Sequence, residues 1–140
     1  SLILVKSDAV NRGLAGTIIG RLESLELKLV AIKMLQMDKA LALKHYAVHK
    51  DKPFFDRLVD YISSAPIVAA VFEGEQAVEV SRKAMGLTDP ANAEAGTIRG
   101  DFGLDIERNT IHGSDSAETA ESEIKLFFPE DEIFDYRREV

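Results

Sequence analysis

Cysteine, long apolar runs and any surplus of basic charge are missing from this chain, and each lack removes a class of function. Without cysteine there are no disulfides, no thiolate metal ligands and no thiol nucleophile. No apolar run nears the roughly 18 residues needed to cross a bilayer. Ser1 to Val5 lead straight into Lys6 rather than into a signal peptide's apolar region, so the expectation is a cytoplasmic protein with no membrane segment. A formal net charge of −7 disfavours a general nucleic-acid binder, which needs a broad basic surface. An anionic ligand would need a local group of Lys and Arg to outweigh that repulsive field. A GxxxxGKS/T phosphate loop is absent too, so any nucleotide must bind through another architecture.

What is present fits one core. A chain of 140 residues, 46% hydrophobic and 29% charged, is of ordinary soluble composition and of single-domain size, which gives one domain over residues 1–140. Leu2-Ile3-Leu4-Val5 reads as a buried strand from which Lys6 emerges at the sheet's edge. Ser7-Asp8-Ala9 turns the chain. Leu14, Ile18, Leu22 and Leu25 then recur at helical spacing, and Leu29 to Leu35 makes a second strand. Asp38 is suited to cap a helix carrying Leu41, His45 and Val48 and ending near His49. Pro53 suits the first turn of a helix bearing Phe55, Leu58, Val59 and Ile62, with Phe54 off that stripe. Ile67 to Phe72 has the nearly continuous apolar character of a central strand, and a helix from about Glu75 to Met85 follows it. Gly86 to Arg108 has little periodicity and reads as a long, mostly irregular loop, a kind usually functional or disordered. Thr110 and Ile111 form a short strand, Ser116 caps a helix bearing Ala117, Ala120, Ile124 and Phe127, and Pro129 ends it. Four strands with helices between most of them imply one sheet covered on at least one face, an α/β sandwich of the split βαβ type.

Among the candidate chemistries, Asp101-Phe102-Gly103 and Arg99-Gly100-Asp101 match a protein-kinase and an adhesion tripeptide, but the rest of either pattern is missing and the glycines are loop punctuation. His45 and His49 stand four apart, a spacing that can grip zinc from a helix. No third ligand is evident, so they read as solvent-facing or capping histidines, and no metal site is expected. His112 differs, because Asn109, Ser114, Asp115 and Ser116 surround it. A neutral imidazole has a lone pair that can attack an electrophile, and hydroxyls or carboxylates at the other nitrogen can hold the ring in one orientation. Glu123 sits on the flank of the following helix, where it can point back toward that segment. The residues alone leave open whether His112 is a nucleophile or a structural histidine at a strand end.

Four stretches in order resemble one family. Asn109-Thr110-Ile111-His112-Gly113-Ser114-Asp115 is similar to the N-x-x-H-G-S-D signature of nucleoside diphosphate kinases, and Lys6-Ser7-Asp8-Ala9-Val10 to their first-strand K-P-D-G/A-V. His45-Tyr46 with Asp51-Lys52-Pro53-Phe54-Phe55, and Gly96-Thr97-Ile98-Arg99-Gly100-Asp101-Phe102, resemble two further elements. The likeness spans essentially the whole chain. Its main departure is Ser7, where the family usually has proline.

The resemblance implies a ferredoxin-like α+β sandwich with a four-stranded antiparallel sheet. It implies transfer of the γ-phosphoryl group of a nucleoside triphosphate to a nucleoside diphosphate by a ping-pong route through a phosphohistidine at His112. Lys6, Arg82 and Arg99 match phosphate-binding cations, Thr88 a further phosphate donor, and Tyr46 the phenol near the transferred group. Asn109 and Lys6 match contacts to the ribose hydroxyls, while Ser114 and Glu123 match the groups that orient His112. Phe54 matches the aromatic that stacks on the base, opposite Ile106 and with Leu58 behind it, which implies broad base tolerance because stacking is blind to base identity. Magnesium is expected to arrive on the nucleotide phosphates without protein ligands. A homohexamer is the expected assembly, with a tetramer as the alternative, and no membrane or specific nucleic-acid partner is expected. The competing readings are an inactive or regulatory nucleotide- or protein-binding relative, and a ferredoxin-like RNA-binding or allosteric module, which would need aromatics on the sheet face.

Overall fold

Four strands form one antiparallel sheet in the computed structural model, which describes residues 1–139 and, at Val48, the backbone alone. They are β1 (Leu2–Val5), β2 (Lys28–Leu35), β3 (Ile67–Glu73) and β4 (Ile111–Gly113), in the order β2-β3-β1-β4. The two most apolar runs, β1 and β3, take the centre, where a strand is buried on both faces. This is the four-stranded antiparallel ferredoxin-like sheet that the resemblance implies.

Seven helices pack on it: α1 (Ser7–Asn11), α2 (Ala15–Glu23), α3 (Lys39–His45), α4 (Phe55–Ile62), α5 (Ala77–Met85), α6 (Ile98–Phe102) and α7 (Ala117–Phe127). Because side chains alternate along a strand, β1 feeds two cores. Leu2 and Leu4 pack with Ala42, Ile62 and Phe127 of α3, α4 and α7. Ile3 and Val5 pack with Ala9, Ile18, Met85 and Ile98 of α1, α2, α5 and α6. Helices therefore cover both faces of the sheet. The expected caps form: Asp38 accepts from the Leu41 N–H at 2.7 Å and Ser116 from the Thr119 N–H at 3.1 Å, each satisfying a donor that the first helical turn leaves open.

Several expectations shift. Ser7 to Ala9 is the start of helix α1 rather than a turn. Leu25 falls beyond α2 and is exposed. Helix α3 stops at His45 and a 3-10 turn over Ala47–His49 follows, so His45 and His49 do not share a helical face; the Val48 side chain lies outside the described residues. Pro53 precedes α4 instead of standing in its first turn, and Phe54 occupies the N-cap position. The Gly86 to Arg108 segment contains a 3-10 turn at Pro90–Asn92 and helix α6. Five residues are too few to display a helical period, although Thr97, whose hydroxyl accepts from the Gly100 N–H at 3.0 Å, is a legible cap.

The register decides where the chemistry sits. Leu4 stands directly opposite His112, so both side chains share a face, and Leu4 belongs to the core under α3 and α7. His112 therefore emerges toward those two helices. Its neighbour Gly113 points the other way, where a Cβ would lie 2.5 Å from the Met85 sulfur and 3.3 Å from the Ile3 side chain, so β4 packs against α5 only because this residue has no side chain.

Ser7 is the first residue of α1 and follows Lys6 at φ −73°, ψ 161°. Extended backbone before proline is unstrained and the first helical position tolerates a missing N–H. Ser7→Pro should therefore raise stability by about 0.4–1 kcal/mol through the unfolded state, seen as a higher denaturant midpoint with an unchanged slope. A lower midpoint would mean that the buried Ser7 side chain makes contacts the ring cannot replace.

Candidate active site

A cavity of about 900 Å³ opens between the end of the sheet and the segments Lys44–Tyr61 and Arg82–Arg99, and His112 lines it together with Lys6, Tyr46, Phe54, Leu58, Arg82, Thr88, Arg99, Ile106, Asn109 and Glu123. The structure thus places eleven of the twelve expected positions on this cavity, and the twelfth is Ser114. That side chain is fully buried behind the cavity wall and reaches the site through Glu123.

The reacting corner is a short chain of hydrogen bonds. Glu123 Oε2 lies 2.9 Å from His112 Nε2, and Ser114 Oγ donates to Glu123 Oε1 at 2.7 Å while accepting from the Leu2 N–H at 3.1 Å. Burial alone would raise the Glu123 pKa, but the hydrogen bond and charge of His112 and the Ser114 hydroxyl hold it below the usual carboxylate value. Glu123 is therefore an anion at neutral pH and only accepts, which puts the proton of a neutral His112 on Nε2. Nδ1 keeps its lone pair, and it has no hydrogen-bond partner among the described residues.

Cations gather around this ring despite the acidic chain. Arg99 donates to the Ile111 carbonyl at 2.7 Å and Arg82 to that of Gly113 at 3.3 Å, so the peptide groups on both sides of His112 are gripped by guanidinium groups that also face the cavity. Lys6 donates to the Asn109 side chain at 2.9 Å and to the Glu107 carbonyl at 2.8 Å, and Asn109 in turn donates to the Thr88 carbonyl at 3.3 Å. Burial pushes Lys6 down to about 8, opposed by Asp8 and assisted by Arg99. Burial and the Arg82 charge likewise lower Arg99 to about 10. Both are destabilised as free cations, and an anion in the cavity would relieve them. The buried Tyr46 phenol is pushed up by burial and by Glu123, so it stays protonated as a donor.

Thr110 is not part of a strand. It lies just before β4 at φ +73°, a conformation that costs a β-branched residue of order 1–3 kcal/mol. Its N–H donates to Asp8 Oδ2 at 3.1 Å, its carbonyl accepts from the Lys6 N–H at 2.8 Å, and Tyr61 donates to Asp8 Oδ1 at 2.9 Å. These bonds hold the strained residue two positions before His112. Asp8, though it stands in the first quoted motif, and Tyr61 are not among the expected site residues, because the contacts that give them a role span 102 and 53 residues.

At the outer end Phe54 and Ile106 are exposed hydrophobic side chains, 41% and 59% accessible, on two walls of the cavity with Leu58 between them and the core. His45 corrects the expectation of a solvent-facing histidine. It is buried edge-on against His112, with ring centroids 4.7 Å apart, and against Tyr46 and Phe127. Burial, with the nearby His112, pushes it down to about 3, so it is neutral.

The family model described as Nucleoside diphosphate kinase matches residues 1–133. A nucleoside diphosphate kinase of Dehalococcoides mccartyi is 64% identical over 99% of this chain and 97% of its own, and one of Archaeoglobus fulgidus is 54% identical over 99% and 91%. Among solved structures, a halophilic nucleoside diphosphate kinase from Halobacterium salinarum in complex with CDP superposes with a TM-score of 0.95 at 50% identity, covering 98% of this chain and 91% of that one.

Two substitutions test the support beneath His112. Asp8→Ala strands the buried Thr110 N–H and removes the Tyr61 bond, and should cost about 2–4 kcal/mol in denaturant unfolding. Tyr61→Phe should cost only about 1–2 kcal/mol. Thr110→Gly in the Asp8→Ala background should recover about 1 kcal/mol by releasing the left-handed strain; no recovery would mean that the strain is not what Asp8 holds.

Proposed function

The chain belongs to the nucleoside diphosphate kinase family, and we infer that it moves the γ-phosphoryl group of a nucleoside triphosphate to a nucleoside diphosphate in two displacements through His112. One observation carries the reading: the Glu123 carboxylate stands 2.9 Å from Nε2 of a histidine that lines the cavity, which favours the proton on Nε2 and leaves the Nδ1 lone pair as the nucleophile. In the first step the Nδ1 lone pair forms an N–P bond as the bond from γ-phosphorus to the β-phosphate bridging oxygen breaks, and the diphosphate leaves with that electron pair. The ring becomes cationic, and Glu123 stabilises it at 2.9 Å. A second diphosphate then attacks the phosphohistidine through a terminal oxygen, and the N–P electron pair returns to Nδ1.

Lys6, Arg82 and Arg99 meet the charge that spreads over the phosphoryl oxygens in a loose transition state, with Thr88 as a further phosphate contact and the protonated Tyr46 as a donor near the transferred group. Asn109 and Lys6 take the ribose hydroxyls. Phe54 and Ile106 clamp the base over Leu58; stacking of this kind is worth about 1–3 kcal/mol for any base, which supports broad nucleotide tolerance, and the CDP-bound relative supports a diphosphate as ligand. Magnesium belongs to the substrate here. It is a hard ion that prefers phosphate oxygens and water, whereas the cavity wall near the phosphate cations carries Lys and Arg. The unit is one domain over residues 1–140, with cytoplasmic location; no helix of the described residues is long and apolar enough to cross a membrane. A homohexamer is the proposed assembly, with a tetramer as the alternative, and the exposed Leu87 and Leu104 in the Gly86 to Arg108 segment offer apolar surface that either assembly could cover.

Incubated with ATP labelled in its γ-phosphate, the protein should gain an acid-labile phosphate that ADP removes, and His112→Ala should gain none. Absence of label in the wild type, or equal label in His112→Ala, would overturn this reading. Because the Lys6 ammonium loses its proton as pH rises through about 8, kcat/KM for the triphosphate should fall above that pH, a limb that reports the free enzyme. In Lys6→Met the activity should be lower and that limb absent. A profile flat to pH 10 in the wild type would show that burial does not lower Lys6 to about 8, and unchanged activity in Lys6→Met would show that Lys6 does not serve as a phosphate cation.

A further inference from the structure

Both ring nitrogens of His45 are buried without a hydrogen-bond partner among the described residues, which is costly for an imidazole whose side chain is 1% exposed. Its Nδ1 lies 3.7 Å from Glu123 Oε2, the same oxygen that stands 2.9 Å from His112 Nε2. One ligating atom from each of His45, His112 and Glu123 lies within 4.8 Å of the others. Tetrahedral zinc with bonds of about 2.0–2.1 Å sets its ligand atoms roughly 3.3 Å apart, and the separations of 2.9 and 3.7 Å bracket that value. Two imidazoles and a carboxylate are also a donor set that zinc favours and magnesium does not.

We propose that His45, His112 and Glu123 form an inhibitory site for zinc or a similar borderline transition-metal ion, entering from the cavity and excluding phosphorylation of His112. His45, His112 and Glu123 all line the cavity, their side chains 1%, 26% and 12% exposed. Coordination forms a metal–Nε2 bond with the lone pair that appears when the proton leaves that nitrogen. The proton returns from solvent to Nδ1 in the neutral ring, so the Nδ1 lone pair is consumed and nothing is oxidised or reduced. In phosphohistidine Nδ1 bears phosphorus, so the Nε2 proton cannot move to the other nitrogen, and a metal at Nε2 has to displace it to solvent and break the Glu123 bond that steadies the phosphorylated ring. Metal binding and phosphorylation therefore compete for His112. The binding geometry stands on its own, while the inhibitory effect rests on His112 being the phosphorylated residue.

Co2+, whose visible absorption distinguishes tetrahedral from octahedral coordination, is the probe, titrated into the full chain without nucleotide. Wild-type protein should take up Co2+ with a tetrahedral spectrum that Zn2+ displaces. His45→Phe, which keeps a ring against Tyr46 and Phe127 and is checked for folding by its thermal transition, should bind at least about tenfold more weakly, the scale of loss seen even for outer-shell partners. Wild-type protein first phosphorylated with ATP, then freed of nucleotide, should lose the spectrum without any substitution. An octahedral spectrum, equal affinity in folded His45→Phe, or equal binding by the phosphorylated protein would each overturn the proposal. Labelling of the metal-free wild type by ATP is read separately, so a failed kinase reading shows as absent label and a failed metal site as absent tetrahedral Co2+.

Discussion

A single proton between His112 Nε2 and Glu123 Oε2 sets what this site can do. An unfixed imidazole exchanges its proton between two nitrogens and turns about two bonds, and either freedom would leave the nucleophile misplaced part of the time. Here the carboxylate is itself fixed, by the Ser114 hydroxyl at 2.7 Å, and that hydroxyl is fixed by the Leu2 backbone at 3.1 Å. The orientation of a cavity side chain is thereby tied to the first residue of the central strand. Register makes this possible, because β4 pairs with β1 so that His112 stands opposite Leu4 and points under the helix that carries Glu123.

The electrostatic design follows from the same packing. A chain of net charge −7 repels nucleotide phosphates at long range, so the attraction has to be local and poorly solvated to count. Lys6 at the end of β1, Arg82 on α5 and Arg99 on α6 are the cations proposed to supply it, each drawn from a different element, and two of them also grip the carbonyls beside His112. The burial of Lys6 and Arg99 is a cost in the free protein that an anion in the cavity would relieve. The left-handed Thr110 is a second stored cost, held by Asp8 and Tyr61, and it re-aims the chain just before the nucleophile.

Much of this was legible in the residues. The apolar runs marked β1 and β3, Asp38 and Ser116 marked two helix starts, and the flank position of Glu123 placed a carboxylate where it could reach back to His112. The net charge of −7 demands a local cation group for any anionic ligand, and the family likeness points to its members. What stayed hidden has physical reasons. Helix α6 is too short for its period to stand out, so Arg99 seemed to sit in a loop. His45 looked polar and exposed because its burial comes from Tyr46, Phe127 and His112, which are remote in sequence except for Tyr46. The strain at Thr110 has no composition signature at all, since threonine normally favours the strand it was assigned to.

The identity of the phosphorylated nitrogen tests the account most directly. With uniformly 15N-labelled protein phosphorylated by ATP, the coupling between phosphorus and the His112 ring nitrogens separates the two isomers. Phosphorus on Nδ1, with Nε2 still protonated and shielded from exchange by Glu123, is the predicted result. Phosphorus on Nε2, or an equal mixture of both isomers, would contradict it, because the Glu123 bond would then not be what selects the nucleophile.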